Sequence, residues 1–137
     1  MNIIHERPPN FDALVAAGFP IVNKPILFAW GDIIYNPGKV IVPLPLQLHE
    51  AMHGERQLAH SEGIEGWWQQ YVYDDAFRLE EEVLAHQVEY RSWYGGCGNR
   101  HQRRNALKAV AKKLSAPLYG RMISPHKARL ILREAIC

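Results

Sequence analysis

The segment His49-Glu50-Ala51-Met52-His53 constrains this chain more than any other, because it carries the pattern HExxH where a helix can form. Residues four apart lie on one face of a helix, so both imidazoles can reach a single ion. Glu50 lies about a quarter of the circumference away, where its carboxylate can reach a water on that ion. Two neutral nitrogens holding Zn²⁺ and a carboxylate that accepts a proton are what metal-assisted hydrolysis requires. The motif therefore predicts His49 and His53 as metal ligands and Glu50 as the general base.

The residues around the motif favour the required helix. Pro43 and Pro45 stop the extended run before it, and after Pro45 neither Pro nor Gly occurs until Gly54. The alternative to a metal site is a surface helix whose histidines are merely solvated.

A third ligand should lie downstream, either as a His soon after the motif or as a Glu on a second helix. His60 does not have the spacing of the first option, and a straight helix would carry it about 10 Å along the axis from His53. The segment Phe77–Tyr90 is rich in helix formers and offers the second option. The sequence therefore favours a glutamate on this second helix.

Glu82 is the predicted third ligand, because it shares one strip of the second helix with Ala85, His86 and Glu89. The small Ala85 would let this helix approach the metal helix closely, and His86 and Glu89 could act as outer partners of His49 or His53. The alternative ligands are His60, His86, Glu80 and Glu81. The last two are expected to form a solvated acidic face near the helix N-terminus.

The rest of the chain predicts a small sheet before the metal helix and further helices after it, within one α+β domain spanning residues 1–137. The predicted strands are Pro25–Trp30, Ile33–Tyr35 and Val40–Val42, with a hairpin turn at Gly31-Asp32. The other predicted helices are Phe11–Ala17 with Asn10 as N-cap, the aromatic run Trp67–Tyr73 as a packing helix, Asn105–Leu114, and Ser124–Ile136 with Ser124 as N-cap.

Cysteine usage and hydropathy bear on the compartment. Cys97 and Cys137 lie far apart in the sequence, which favours two free thiols in a reducing compartment over a disulfide. The N-terminus has no apolar signal region, and no run reaches the roughly 18 apolar residues of a membrane span. The sequence therefore predicts no membrane association and a bacterial cytoplasmic location, or a virion if the chain is phage-encoded.

Charge is divided unevenly along the chain. Residues 1–98 hold 6 Lys/Arg and 13 Asp/Glu, whereas residues 99–137 hold 10 Lys/Arg and one acid, Glu134. The basic third could bind nucleic acid or an acidic partner. Its cations are not interleaved with the aromatic residues that single-strand binders use for stacking, so the favoured interpretation is the basic half of an otherwise acidic fold.

Three further segments resemble a known family. They are Phe28-Ala-Trp-Gly-Asp-Ile-Ile-Tyr-Asn-Pro, Trp67-Trp68 ahead of Asp75-Ala-Phe-Arg-Leu-Glu, and Ser115-Ala-Pro-Leu-Tyr-Gly. With HExxH and Glu82, they make most of the chain similar to small zincin-like metallopeptidases of the glutamate-ligand type, which are often phage-encoded. The chain departs from the family pattern at Gly54-Glu55, where a good helix former is expected. The end of the metal helix is therefore left open.

The resemblance implies a zinc-dependent peptidase that acts on a peptide or protein substrate. In zincins an edge strand of the sheet pairs with the extended substrate, and a Tyr or His donor stabilises the oxyanion. Tyr119 is the expected donor, with His101 and His126 as weaker candidates. Two alternatives stay open: a catalytically silent zincin-fold structural or binding protein of phage origin, and a nucleic-acid-associated protease that uses the basic C-terminal helices.

Overall fold

The computed structural model describes residues 2–136, which form an α+β fold with a small sheet followed by a helical region. The strands are β1 (Asn2–Ile4), β2 (Phe28–Trp30) and β3 (Ile33–Tyr35). The helices are α1 (Phe11–Ala16), α2 (Leu44–Ala59), α3 (Gly63–Tyr73), α4 (Asp75–Gly96), α5 (Arg100–Leu114) and α6 (Pro125–Glu134), with a 3-10 turn at Pro117–Tyr119. Within this described range, no helix is long and apolar enough to cross a membrane.

The sheet is mixed, with β3 between β1 and β2. The hairpin predicted at Gly31-Asp32 is confirmed, since β2 and β3 pair antiparallel with Ala29 opposite Ile34. The predicted strand at Val40–Val42 is wrong, because the side chain of Asn36 bonds both the N–H and the C=O of Val40. The third strand is instead β1, which pairs parallel with β3.

Helix α2 runs through Gly54 without interruption and ends at Ala59. The glycine is needed for packing, since a Cβ at this position would lie 2.0 Å from the carbonyl oxygen of Gly31. Gln57, one turn further on, is fully buried. Its side-chain Nε2 donates to the oxygen of Ala29 over 3.0 Å, and its Oε1 accepts from the N–H of Gly31 over 2.7 Å. Gly54 and Gln57 together fix α2 directly against the β2–β3 hairpin.

Helix α4 is longer than the segment predicted from the sequence. It begins after Asp74, whose side chain accepts a hydrogen bond from the N–H of Phe77, and it extends to Gly96. It packs against α2 on one side, where Ala85 is fully buried, and against α5 and α6 on another. The predicted close approach of the two helices at Ala85 is therefore confirmed.

Two apolar clusters form the core. One joins α4, α5 and α6 around Tyr90, Leu114 and Leu132. The other joins α1, β2 and the segment between them, with Phe11 and Phe28 in edge-to-face contact. The basic third thus uses one face of each of its helices for core packing and exposes many of its cations on the other faces.

Helix caps and cysteines agree only in part with the sequence predictions. Ser124 caps α6 as predicted, because its hydroxyl accepts a hydrogen bond from the N–H of Lys127. Asn10 is the N-cap residue of α1 as predicted, but its side chain makes no capping hydrogen bond. Cys97 carries a free thiol, whereas Cys137 lies outside the described residues.

Candidate metal centre

Three buried side chains from two helices converge where α2 meets α4. His49 and His53 lie one turn apart on α2, and both Nε2 atoms point toward the carboxylate of Glu82 on α4. Nε2 of His49 lies 3.5 Å from Oε1 of Glu82, and Nε2 of His53 lies 3.3 Å from Oε2 of Glu82. The candidate ligand atoms of all three residues lie within 4.8 Å of one another. These residues could therefore hold one metal ion.

The hydrogen bonding of this cluster fits a cation. Among residues 2–136, Oε1 of Glu82 is buried with no hydrogen-bond donor. A buried carboxylate oxygen without a partner is costly, and a bound cation would satisfy it. The other oxygen, Oε2, accepts a 2.5 Å hydrogen bond from the hydroxyl of Tyr71. Tyr71 therefore fixes the orientation of Glu82 while one of its oxygens stays available.

His49 is oriented by a second carboxylate. Its Nδ1 lies 2.9 Å from Oε1 of Glu89, so this nitrogen donates to the carboxylate, while Nε2 faces Glu82, where a metal ion would take the place of its proton. Glu89 in turn accepts from Nζ of Lys113 over 2.8 and 2.6 Å and from the indole N–H of Trp93 over 3.1 Å. A lysine of the basic third thus reaches the centre through Glu89.

The charges at the centre favour cation binding. Burial disfavours the charged form of His49, but its contacts with Glu82 and Glu89 outweigh burial and raise its pKa to about 10. Burial likewise works against ionised Glu82, but the neighbouring His53 and His49 hold the pKa of Glu82 well below its usual range. Glu82 is therefore ionised, and the same negative potential that holds a proton on His49 would attract a metal cation.

Glu50 and Tyr119 lie beside this cluster on the walls of the same cavities. One cavity of about 50 Å³ is lined by His49, His53, Glu82, Glu50 and Tyr119 together with apolar side chains. A larger groove of about 330 Å³, which we call the metal-site groove, is also lined by His49 and again has Glu50 and Tyr119 on its walls. Burial raises the pKa of Glu50, although His49 and His53 partly offset it. That shift suits a base that must exchange protons near neutral pH.

The alternative ligands have other partners. Glu80 is exposed, as predicted, but the expected solvation of Glu81 is wrong, because Glu81 is only 2% exposed. Its carboxylate accepts from Nε of Arg56 over 2.8 Å and from the indole N–H of Trp67 over 2.7 Å. His60 lies away from the cluster and contacts the side-chain oxygen of Gln70 over 2.9 Å. Neither Glu81 nor His60 therefore points at the proposed ion.

His86 lies in a second, overlapping group with His49 and Glu89. Its Nδ1 donates to the main-chain oxygen of Glu82 over 2.7 Å, and burial lowers its pKa to about 3, so the ring is neutral. In this group Glu89 is already bound by the ammonium of Lys113 and by His49. The first group, with Glu82 as the third residue, is therefore the stronger candidate for a metal site.

Sequence patterns did not identify Tyr71 as the hydrogen-bond donor to Glu82 or Lys113 as the donor to Glu89. Tyr71 belongs to the aromatic run that was predicted to form a packing helix. The apolar residues around it in the sequence do not indicate that its hydroxyl binds a carboxylate. Lys113 belongs to a run of exposed cations, and only the α4–α5 contact shows that it turns inward. The signal for Gln57 was available, because it lies on the same helical face as His49 and His53.

The sequence predicted that an edge strand of the sheet pairs with the substrate, and β2 lies at one edge, where groups at and next to its centre are already bonded. The oxygen of Ala29 already accepts from Nε2 of Gln57 and from the indole N–H of Trp68. The N–H of Gly31 donates to Gln57 as well. The preceding residues 25–27 line the metal-site groove together with His49 and Glu50.

Comparison with known proteins returned no similarity: no family model, curated protein or solved structure matches the chain.

Proposed function

We propose that this protein is a zinc-dependent metallopeptidase with a zincin-like fold. The observation that carries the proposal is the convergence of His49, His53 and Glu82 beside Glu50 on the wall of one cavity. Two imidazoles and one carboxylate, with a fourth position left for water or substrate, are the ligand set of catalytic zinc sites. Hard cations such as Mg²⁺ and Ca²⁺ prefer oxygen ligands, so the two nitrogens favour zinc.

In this proposal Zn²⁺ would polarise the scissile carbonyl and lower the pKa of a water to about 7. Glu50 would accept a proton from the attacking water, whose oxygen bonds to the carbonyl carbon. The same carboxyl group would then protonate the leaving nitrogen as the C–N bond breaks. Glu50 is 9% exposed, so its carboxylate is largely shielded from bulk water.

Tyr119 would donate a hydrogen bond to the oxyanion. Burial raises its pKa well above the usual value, with the Glu82 and Glu50 carboxylates adding to the effect, so the phenol stays protonated. Its ring packs edge-to-face on His86, with the ring centroids 5.3 Å apart. Tyr119→Phe is expected to lower kcat about 100-fold, the usual cost of one oxyanion donor, while zinc affinity stays unchanged.

The decisive experiment compares zinc-loaded wild type with Glu50→Gln on a broad peptide library. The wild type is expected to cleave peptides, and the variant is expected to keep its zinc but lose cleavage. Chelation followed by zinc addition should restore wild-type activity. Zinc binding without cleavage by the wild type would instead support the catalytically silent structural or binding protein, and selective nucleic-acid binding at physiological salt would support the nucleic-acid-associated protease.

A further inference from the structure

A second groove adjoins the metal-site groove. It has a volume of about 390 Å³, and its apolar walls come from α2, α4 and α5. These apolar wall residues are Leu46, Trp93, Ala106, Ala109 and Val110. Leu46 and Lys113 line both grooves, so the two grooves adjoin at these side chains. We call the second one the apolar groove.

The apolar groove has a fixed aromatic wall. Trp93 is 36% exposed, which is unusual for so large an apolar side chain. Its indole N–H donates to Oε2 of Glu89 over 3.1 Å, and this bond holds the ring in one orientation. Rigid, partly exposed tryptophans are the side chains that most often anchor a binding partner. The wall is therefore ordered before any ligand arrives.

The chemistry of the apolar groove selects an uncharged occupant. Its two charged members, Glu89 and Lys113, are bound to each other over 2.6 Å. Ala106 and Ala109 on α5 have small side chains that leave space above the buried Val110. A volume of this size lies within the range of pockets that bind small organic ligands, so it can take a large apolar side chain.

The distance along α2 sets where such a side chain lies in a substrate. Leu46 precedes Glu50 by one helical turn, which is about 6 Å along the axis. An extended peptide advances about 3.3 Å per residue, so Leu46, where the two grooves meet, lies roughly two residues from the bond near Glu50. Building on the proposed peptidase function, we propose that the apolar groove binds a large apolar side chain of an extended peptide substrate, two or more residues from the cleaved bond.

The test uses peptides that carry one Phe at successive positions in an otherwise small and polar sequence. Cleavage by zinc-loaded wild type first locates the bond, and calorimetry with zinc-loaded Glu50→Gln then measures binding without turnover. Phe in the groove is expected to tighten binding about 10- to 100-fold over Ala at the same position. Binding should also change the tryptophan fluorescence, because Trp93 forms the wall of the groove.

Ala109→Glu tests the groove itself, combined with Glu50→Gln for the binding measurement. Ala109 is exposed, so the fold should tolerate the change, while the new carboxylate would enter the apolar groove. The variant is expected to lose the preference for Phe. Lys112→Gln is the matched control, because it makes the same change in net charge at an exposed position of α5 that does not line the groove. Circular dichroism should confirm that both variants are folded.

Two results would overturn the inference: binding that does not depend on the position of Phe, or a preference that survives Ala109→Glu. Failure of the proposed function has a different signature, namely no bound zinc or no cleavage by the wild type. In that case calorimetry with the whole Phe-scanning set still tests the groove directly, and the same two results would count against it.

Discussion

The two buried faces of α4 differ in chemistry. The face toward α2 carries Glu82, His86 and Glu89, whose ionisable side chains are almost completely buried. The face toward α5 and α6 carries Tyr90 within a cluster of apolar side chains that includes Leu132. The two faces share one helix and are buried to a similar degree.

The apolar face of α4 stabilises the fold, whereas the polar face carries residues that could hold a metal ion. Burial of the apolar face is favourable in proportion to the apolar area removed from water. Burial of the polar face is costly, and paired buried charges rarely offset that cost fully. A buried polar strip that leaves Oε1 of Glu82 without a hydrogen-bond donor points to a ligand. Metal affinity and stability should therefore respond separately to mutations on the two faces.

The largest expected effect is the loss of zinc affinity when Glu82, the proposed third ligand, is changed. Glu82→Gln should lower zinc affinity by more than the roughly 100-fold that loss of an outer partner can cost. Glu81→Gln is the matched control, because it makes the same change at the neighbouring buried position that binds Arg56 and Trp67. Competition with a chromophoric chelator measures both affinities. If Glu81→Gln loses zinc and Glu82→Gln keeps it, the ligand assignment is wrong by one residue.

The second largest effect is a loss of folding stability when a side chain packed against the apolar face of α4 is shortened. Leu132 is fully buried against this face, so Leu132→Ala should lower the free energy of unfolding by about 2–5 kcal/mol. The zinc affinity of the folded variant should stay as in the wild type. Urea denaturation with excess chelator gives the first quantity, and chelator competition below the unfolding transition gives the second. A parallel loss of zinc affinity would show that the two faces are coupled.

A smaller loss of zinc affinity is expected when Glu89, the carboxylate that binds His49, is changed. Glu89→Gln should lower zinc affinity about 10- to 100-fold, because Glu89 orients His49 and is itself held by Lys113. Glu80→Gln serves as the control, since Glu80 is exposed on the same helix. The visible spectrum of the Co²⁺-substituted protein should also shift in Glu89→Gln alone. An affinity equal to that of Glu80→Gln would remove Glu89 from the metal centre.

The smallest effect marks where the polar cluster ends on α2. His60→Ala should leave zinc affinity unchanged and lower stability by about 1 kcal/mol, because it removes hydrogen bonds to Gln70 and to the N–H of Glu62. Zinc titration and thermal unfolding check the two expectations. A clear loss of zinc affinity would place the boundary of the metal centre further along the helix.

Local patterns predicted much of this arrangement. The helical spacing of His49 and His53 and the strip through Glu82, Ala85 and His86 depend only on the geometry of single helices. The α+β class, the hairpin at Gly31 and the Ser124 cap followed from equally local signals. Patterns of this kind act over a few residues, and the sequence displays them directly.

Long-range pairing accounts for what local patterns could not predict. Strand β1 pairs with a strand about thirty residues later, and nothing within the short segment Asn2–Ile4 indicates that partner. The burial of Glu81 depends on Trp67 and Arg56 from two other helices. The inward turn of Lys113 likewise depends on Glu89 of α4. Each of these contacts exists only once the helices have packed.

The central claim is that the polar face of α4 completes a zinc site. The most direct measurement is the zinc content of purified wild type and Glu82→Gln, determined by elemental analysis after expression with zinc and extensive dialysis. The wild type is expected to retain about one zinc per chain, bound through two histidines and one carboxylate. Glu82→Gln is expected to retain far less. Absence of zinc and of any other transition metal from correctly folded wild type would contradict the claim.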